Sequence, residues 1–146
     1  MKIAIWGNTT GSKLIRHLIG YDDSIEASGD GAEKQIVRSV DYTLVEYDPL
    51  DYSLENKNLL DQATQETLDC DMIFVCVPTP MENTGAAHTG FIEQALNHLR
   101  AASLPNNIPI FVTSAIPPGT CERLQCHYFP TYSTDDRITK DLADSR

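Results

Sequence analysis

The residues most suited to chemistry lie in the run Gly7-Asn8-Thr9-Thr10-Gly11-Ser12, between a short apolar stretch and a segment of helical apolar spacing. Glycines between a strand and a helix let the backbone turn tightly and come close to a ligand, and a helix N-terminus attracts anions. Such a turn is suited to holding a pyrophosphate. The glycine pattern is incomplete, however. Counted from Gly7 as G-x-G-x-x-G, Thr9 stands at the second glycine and Ser12 at the third, with Gly11 displaced by one. Thr9 brings a Cβ where a pyrophosphate needs close approach. A plain strand–helix turn uses the same residues, so both uses stay open.

Glu46, with Asp48 close behind, ends a second apolar stretch. A carboxylate there accepts hydrogen bonds from ribose hydroxyls and repels a 2′-phosphate. The usual offset from the glycines is about 20 residues. Here 35 separate Gly11 from Glu46, so Asp22–Asp41 reads as an insertion. A solvated carboxylate beside a turn is the alternative. Other groupings are weaker. Cys121, Cys126 and His127 supply three zinc-type ligands without a second cluster to complete a tetrahedral site, so no metal is expected. His17 and His98 fall on helical segments, and His88 is the histidine expected near a cleft. Neither a G-x-S-x-G elbow nor a G-x-x-x-x-G-K-[ST] loop is present.

These residues must be positioned by surrounding elements. Lys2–Trp6 (KIAIW) reads as a central strand, and Ser12 as the cap of a helix carrying Leu14, Ile15, Leu18 and Ile19, ended by Gly20. Asp22–Asp41 reads as a loop and a short helix. Thr43–Tyr47 reads as a second strand, closed by Asp48-Pro49, and Ser53–Leu68 as a surface helix. Asp71–Val77 gives the clearest strand, stopped by Pro78 and Pro80. Phe91, Ile92, Ala95, Leu96 and Leu99 form one apolar helical face. Pro109–Ile116 is a fourth strand, Thr120 caps a short helix, and Tyr128-Phe129 makes a fifth strand before Pro130. Ser133–Arg146 is a polar tail or terminal helix. Strands alternating with helices predict one α/β domain over residues 1–132, a doubly wound sheet of five or six mainly parallel strands. Lys2–Trp6 lies at its centre, and ligands bind at the strands' carboxyl ends.

The 146-residue chain has 21 acidic and 11 basic residues, a net charge of -10. Such a surface repels phosphate backbones and anionic lipid, so nucleic-acid and membrane partners are not expected. No apolar run reaches the ~20 residues of a membrane helix. Four cysteines form no CxxC pair, and Cys76 sits in an apolar run. Reduced thiols and a cytoplasmic location follow.

Two longer motifs bring a resemblance. Cys70–Pro80 (CDMIFVCVPTP) resembles the third-strand motif of the UDP-glucose/GDP-mannose dehydrogenases, approximately ADVIFICVPTP. Ser114–Leu124 (SAIPPGTCERL) resembles their STVPPGTTERL, and Gly85–Ala95 follows their helix entry loosely. The resemblance covers nearly the whole chain except Asp22–Asp41 and the tail. It implies a Rossmann-type domain binding NAD, with Val77, Pro78, Thr79, Ser114 and the Pro117–Thr120 turn approaching the cofactor. The family oxidises a sugar alcohol twice through a cysteine thioester. That cysteine and a catalytic lysine belong to later domains, and no cysteine here has a comparable context. Ala115 stands in place of the family's threonine, and Thr131 in place of its acid/base glutamate.

The expected function is therefore an NAD-binding domain without turnover of its own. Binding should be weak, favour NAD over NADP, and tighten when Thr9 and Ser12 become glycine. The alternatives are a degenerate module used in protein–protein assembly, as homo-oligomer or with a second chain, or one chain of an enzyme completed by a partner.

Overall fold

The computed structural model describes residues 1–7, 9–19, 41–45, 47–50 and 54–131. Asn8, Gly20, the Asp22–Val40 stretch, Glu46, Ser53 and the 133–146 tail lie outside the described residues.

Five strands form one sheet in the order β2-β1-β3-β4-β5, every neighbouring pair parallel. They are β1 (Lys2–Trp6), β2 (Asp41–Val45), β3 (Met72–Val75), β4 (Ile110–Val112) and β5 (His127–Tyr128). The helices are α1 (Thr10–Leu18), α2 (Leu54–Thr67), α3 (Gly90–Ala101) and α4 (Thr120–Leu124). The parallel, doubly wound architecture with Lys2–Trp6 inside the sheet agrees with the sequence.

Alternation along β1 explains the two layers. Ile3 and Ile5 face α1 with Ile15, Phe74 and Cys76. Ala4 and Trp6 face the other side, where Ile92, Ala95, Leu96 and Leu99 of α3 and Leu124 of α4 close the larger core. Trp6 is fully buried, and its indole N–H donates to Thr67 Oγ1 of α2 at 3.0 Å. That bond satisfies the one polar atom of a large apolar side chain and binds α2 to the sheet. The expected apolar face of α1 is narrower than its spacing suggests, since Leu18 is 50% exposed while Leu14 and Ile15 are buried.

Several boundaries differ from the sequence reading. The second strand begins two residues earlier, at Asp41, because it pairs along the whole of β1, Lys2 against Asp41 through Trp6 against Val45. Tyr47 N–H then donates to Val45 O at 2.8 Å, turning the chain out of the ladder. The third strand ends at Val75, short of its apolar run to Val77, because pairing rather than hydrophobicity ends a ladder. The fourth ends at Val112, where the polar Thr113 and Ser114 follow, rather than at Ile116. α1 begins at Thr10 and not after Ser12. Thr120 is the first residue of α4, whose cap is Gly119 in the left-handed region (φ 84°).

The chain leaves β1 toward β2 and returns across β1 to β3. Strand order thus reverses between β1 and β3, the place where open α/β sheets hold ligands.

Candidate functional site at the carboxyl edge of the sheet

Gly7 sits at that reversal. Its φ is +99°, and a Cβ there would lie 2.3 Å from the carbonyl oxygen of Cys76, just beyond β3. Its N–H donates to Val45 O at 2.9 Å. Gly7 therefore seals the ends of β1, β2 and β3 together, which no larger residue permits.

Thr9 caps α1, accepting the first intrahelical bond from Lys13 N–H at 3.2 Å. Ser12, buried in the first turn, closes this end: its hydroxyl accepts from Thr9 N–H at 3.1 Å and donates to Thr9 O at 2.8 Å. The bond from Thr9 N–H is the one that a glutamate or glutamine at the same position accepts in a capping box. Replacing Ser12 by glycine would remove both of these bonds from the helix end. Gly11, out of register as a second or third glycine, has a distinct steric role. A Cβ there would come 2.4 Å from Thr113 Oγ1 and 3.0 Å from Thr113 Cβ. The first turn of α1 thus lies directly on the end of β4, which is the close helix–strand packing the third glycine of such turns provides.

The other predicted residues gather at the same edge by topology, each following a parallel strand. Asp48, three residues beyond β2, forms an Asx turn, its carboxylate accepting from Leu50 N–H at 2.9 Å. Val77 is buried, Pro78 exposed and Thr79 half-buried. Ser114 is buried and its hydroxyl donates to Val77 O, tying the ends of β3 and β4. Thr120 is buried beneath the Pro117–Thr120 turn, with its N–H on Pro117 O at 3.2 Å. Thr131 Oγ1 donates to Thr113 O at 3.1 Å. Asn8 and Glu46 belong to the expected set but lie outside the described residues.

Sequence reasoning missed Thr113. It meets Gly11, accepts from the Thr131 hydroxyl at its carbonyl oxygen and donates from its own hydroxyl to Val75 O, yet nothing in SAIPP marks the residue before it. It also missed the brace between α3 and α4. Arg123 pairs with Glu93 at 2.9 Å and donates to Thr89 Oγ1, while Thr89 donates to Glu93. The Arg123 bond, and after it the Thr89 bond, hold the Glu93 carboxyl below its usual range. An i, i+4 Thr89–Glu93 spacing is the sequence signal that was available.

His88 stands on the β3–α3 connection, which folds into a small hairpin with Met81 opposite Ala87 and Gly85 (φ +83°) at its tip. Its ring contacts Phe91 and its Nδ1 lies 3.0 Å from Glu82 Oε1. Cys76 is buried, and burial pushes its thiol up to about 12, with a Thr113 hydrogen bond opposing. Among the described residues no three His, Cys, Asp or Glu side chains gather where a metal ion would sit. None of the described helices is long and apolar enough to cross a membrane. A groove of about 550 Å³ lies at the opposite edge, between Pro109 before β4 and Gln125 and His127 at β5, away from the glycine turn.

Residues 38–139 match the model of the UDP-glucose/GDP-mannose dehydrogenase family, NAD binding domain. Among solved structures the chain resembles a ternary complex of GDP-mannose dehydrogenase from Pseudomonas aeruginosa, at 18% identity and a TM-score of 0.60 over 97% of this chain and 38% of that one. It also resembles UDP-glucose dehydrogenase from Pyrobaculum islandicum, at 15% identity and a TM-score of 0.52 over 98% of this chain and 43% of that one. The chain thus spans about two fifths of those proteins, and the likeness is one of fold. Comparison with curated proteins finds no sequence match.

Proposed function

This chain belongs to the UDP-glucose/GDP-mannose dehydrogenase family through that family's NAD-binding domain, and we propose that it holds NAD at the carboxyl edge, between the ends of β1 and β3, without turning over a sugar nucleotide by itself. The observation that carries the reading is the pair Gly7 and Gly11. Each lacks a Cβ where one would strike Cys76 O or Thr113, so the backbone of the turn lies against the strand ends as a pyrophosphate site requires. Bound NAD would supply a hydride acceptor. The chain's own residues would do the rest: backbone N–H groups at the start of α1 face the pyrophosphate, and Glu46 with Asp48 accepts from the ribose hydroxyls. Val77–Thr79 and the Pro117–Thr120 turn border the remainder. Residues 1–132 would form this domain, with 22–41 inserted and 133–146 as its tail, in a cytoplasmic protein.

Weak binding follows from the turn. Thr9 carries a side chain where close approach is needed, and its N–H is already taken by Ser12. Losing a charge-assisted hydrogen bond costs about 1.5–3 kcal/mol, or roughly tenfold or more in affinity. A 2′-phosphate beside Glu46 and Asp48 would meet repulsion on the order of 1–4 kcal/mol at ~4 Å. Isothermal titration should therefore give a dissociation constant near millimolar for NAD, and roughly tenfold weaker binding for NADP. Thr9→Gly should tighten NAD, and Glu46→Ala should weaken it and narrow the preference. If neither variant alters binding, the cleft is vestigial. The internal satisfaction of Thr9 N–H and Ser114 by neighbouring oxygens then favours the second reading, an assembly module.

The chain alone should produce no NADH from UDP-glucose or GDP-mannose, because none of Cys70, Cys76, Cys121 and Cys126 matches the family's nucleophile and Thr131 replaces its glutamate. Stoichiometric or greater NADH formation by the purified chain, followed by its absorbance, would refute this. Activity appearing only with a second chain would support an enzyme completed by a partner.

A further inference from the structure

α4 closes in a Schellman turn. Gln125 is left-handed (φ 50°, ψ 53°), its N–H donates to Glu122 O, and Cys126 N–H donates to Cys121 O at 3.1 Å. Side chains at the two ends of such a turn meet, ordinarily as an apolar contact. Here both ends are thiols. Their sulfurs lie 3.6 Å apart, Cys126 S–H donating to Cys121 Sγ, and both residues are half-exposed, whereas Cys70 and Cys76 are buried elsewhere. A disulfide needs about 2.05 Å, so the sulfurs need to close by roughly 1.5 Å. Side-chain torsions can supply that while the turn holds the backbone.

We propose that Cys121 and Cys126 form a reversible thiol–disulfide pair, oxidised by a small-molecule disulfide of the glutathione type. Burial, then the neighbouring Cys121, push the Cys126 thiol up to about 12. Cys126 directs its S–H at Cys121 Sγ, where it stabilises a thiolate on Cys121, so Cys121 is placed to attack first. The Cys121 thiolate attacks one sulfur of oxidised glutathione; that S–S bond breaks, and one glutathione leaves as thiolate. Cys126 then loses its proton to solvent and attacks the Cys121 sulfur, expelling the second glutathione. Two protein thiols lose two electrons, and one glutathione disulfide becomes two thiols. The product staples the end of the helix whose start carries the Pro117–Thr120 turn. This proposal does not depend on NAD binding.

The test treats the full, reduced, folded chain with oxidised glutathione, quenches with an alkylating agent and maps peptides without reduction. A Cys121–Cys126 link within one chain, reversed by dithiothreitol, with Cys70 and Cys76 unlinked, is the expected result. Cys126→Ser should trap glutathione on Cys121, raising the mixed disulfide about tenfold over the parent, because the resolving thiol is gone. Circular dichroism of that variant guards against misfolding. A mixed disulfide persisting in the parent, a link to Cys70, Cys76 or another chain, or unreacted Cys121 in both proteins would overturn the proposal.

Discussion

Gly7→Ala is expected to cost the chain about 2–6 kcal/mol of stability, among the largest effects of any single substitution in it. Two independent penalties act together. At φ +99° an L-residue is strained by about 1–3 kcal/mol. The new Cβ would also lie 2.3 Å from Cys76 O, a backbone atom held by the pairing of β1 with β3 and by the Cys76 N–H bond to Trp6 O at 2.7 Å. It cannot rotate away as a side-chain tip would, and forced overpacking adds about 1–3 kcal/mol. The melting temperature should fall by about 6–18 °C. Gly85→Ala separates the two penalties, since Gly85 has φ +83° with nothing within 4 Å of its would-be Cβ. It should show the strain alone. Urea melts in which both variants lose the same stability would mean that the contact with Cys76 is relieved and the close approach at the switch point is not required.

Gly11→Ala should destabilise by about 1–3 kcal/mol although alanine is the better helix former. Propensity alone favours the substitution by up to about 1 kcal/mol. The clash with Thr113 opposes it: Thr113 is buried and β-branched, so neither its Oγ1 nor its Cβ swings aside freely. Removing the Oγ1 in Thr113→Ala leaves only the 3.0 Å approach to Cβ. The double variant should recover part of the loss, a favourable coupling of about 0.5–3 kcal/mol in a double-mutant cycle. Additive single effects would place α1 farther from β4 than the structure does. With NAD present, the same cycle should also report on the turn, since moving α1 off the strand end moves the amides proposed to face the cofactor.

The order of strands, turns and helices was legible from local signals. Gly7 ends one apolar run, Pro78 and Pro80 end another, and helical spacing from Phe91 to Leu99 marks a buried face that α3 uses through Ile92, Ala95, Leu96 and Leu99. Alternating elements with right-handed crossovers then leave few sheets to choose from, so the parallel sheet and the edge at which Gly7, Asp48, Thr79 and Ser114 gather followed as well. These features depend on residues within a turn or two of one another.

What tertiary structure alone decided are matters of pairing and contact between distant residues. β2 starts at Asp41 because Lys2 lies opposite, and β3 stops at Val75 although the apolar run continues through Cys76 and Val77. Glycine at position 11 looked like a misplaced member of a phosphate fingerprint until Thr113, over a hundred residues along the chain, proved to occupy the space of its Cβ. Ser12 turned from an expected cap residue into the partner of Thr9 once the helix began at Thr10. The Cys121–Cys126 contact is local, yet it depends on Gln125 taking a left-handed conformation, and glutamine carries no signal of one. Residue types set which conformations and burial patterns are accessible; the packing of strands against distant partners selects among them, because burial and hydrogen bonding are satisfied only by the assembled chain.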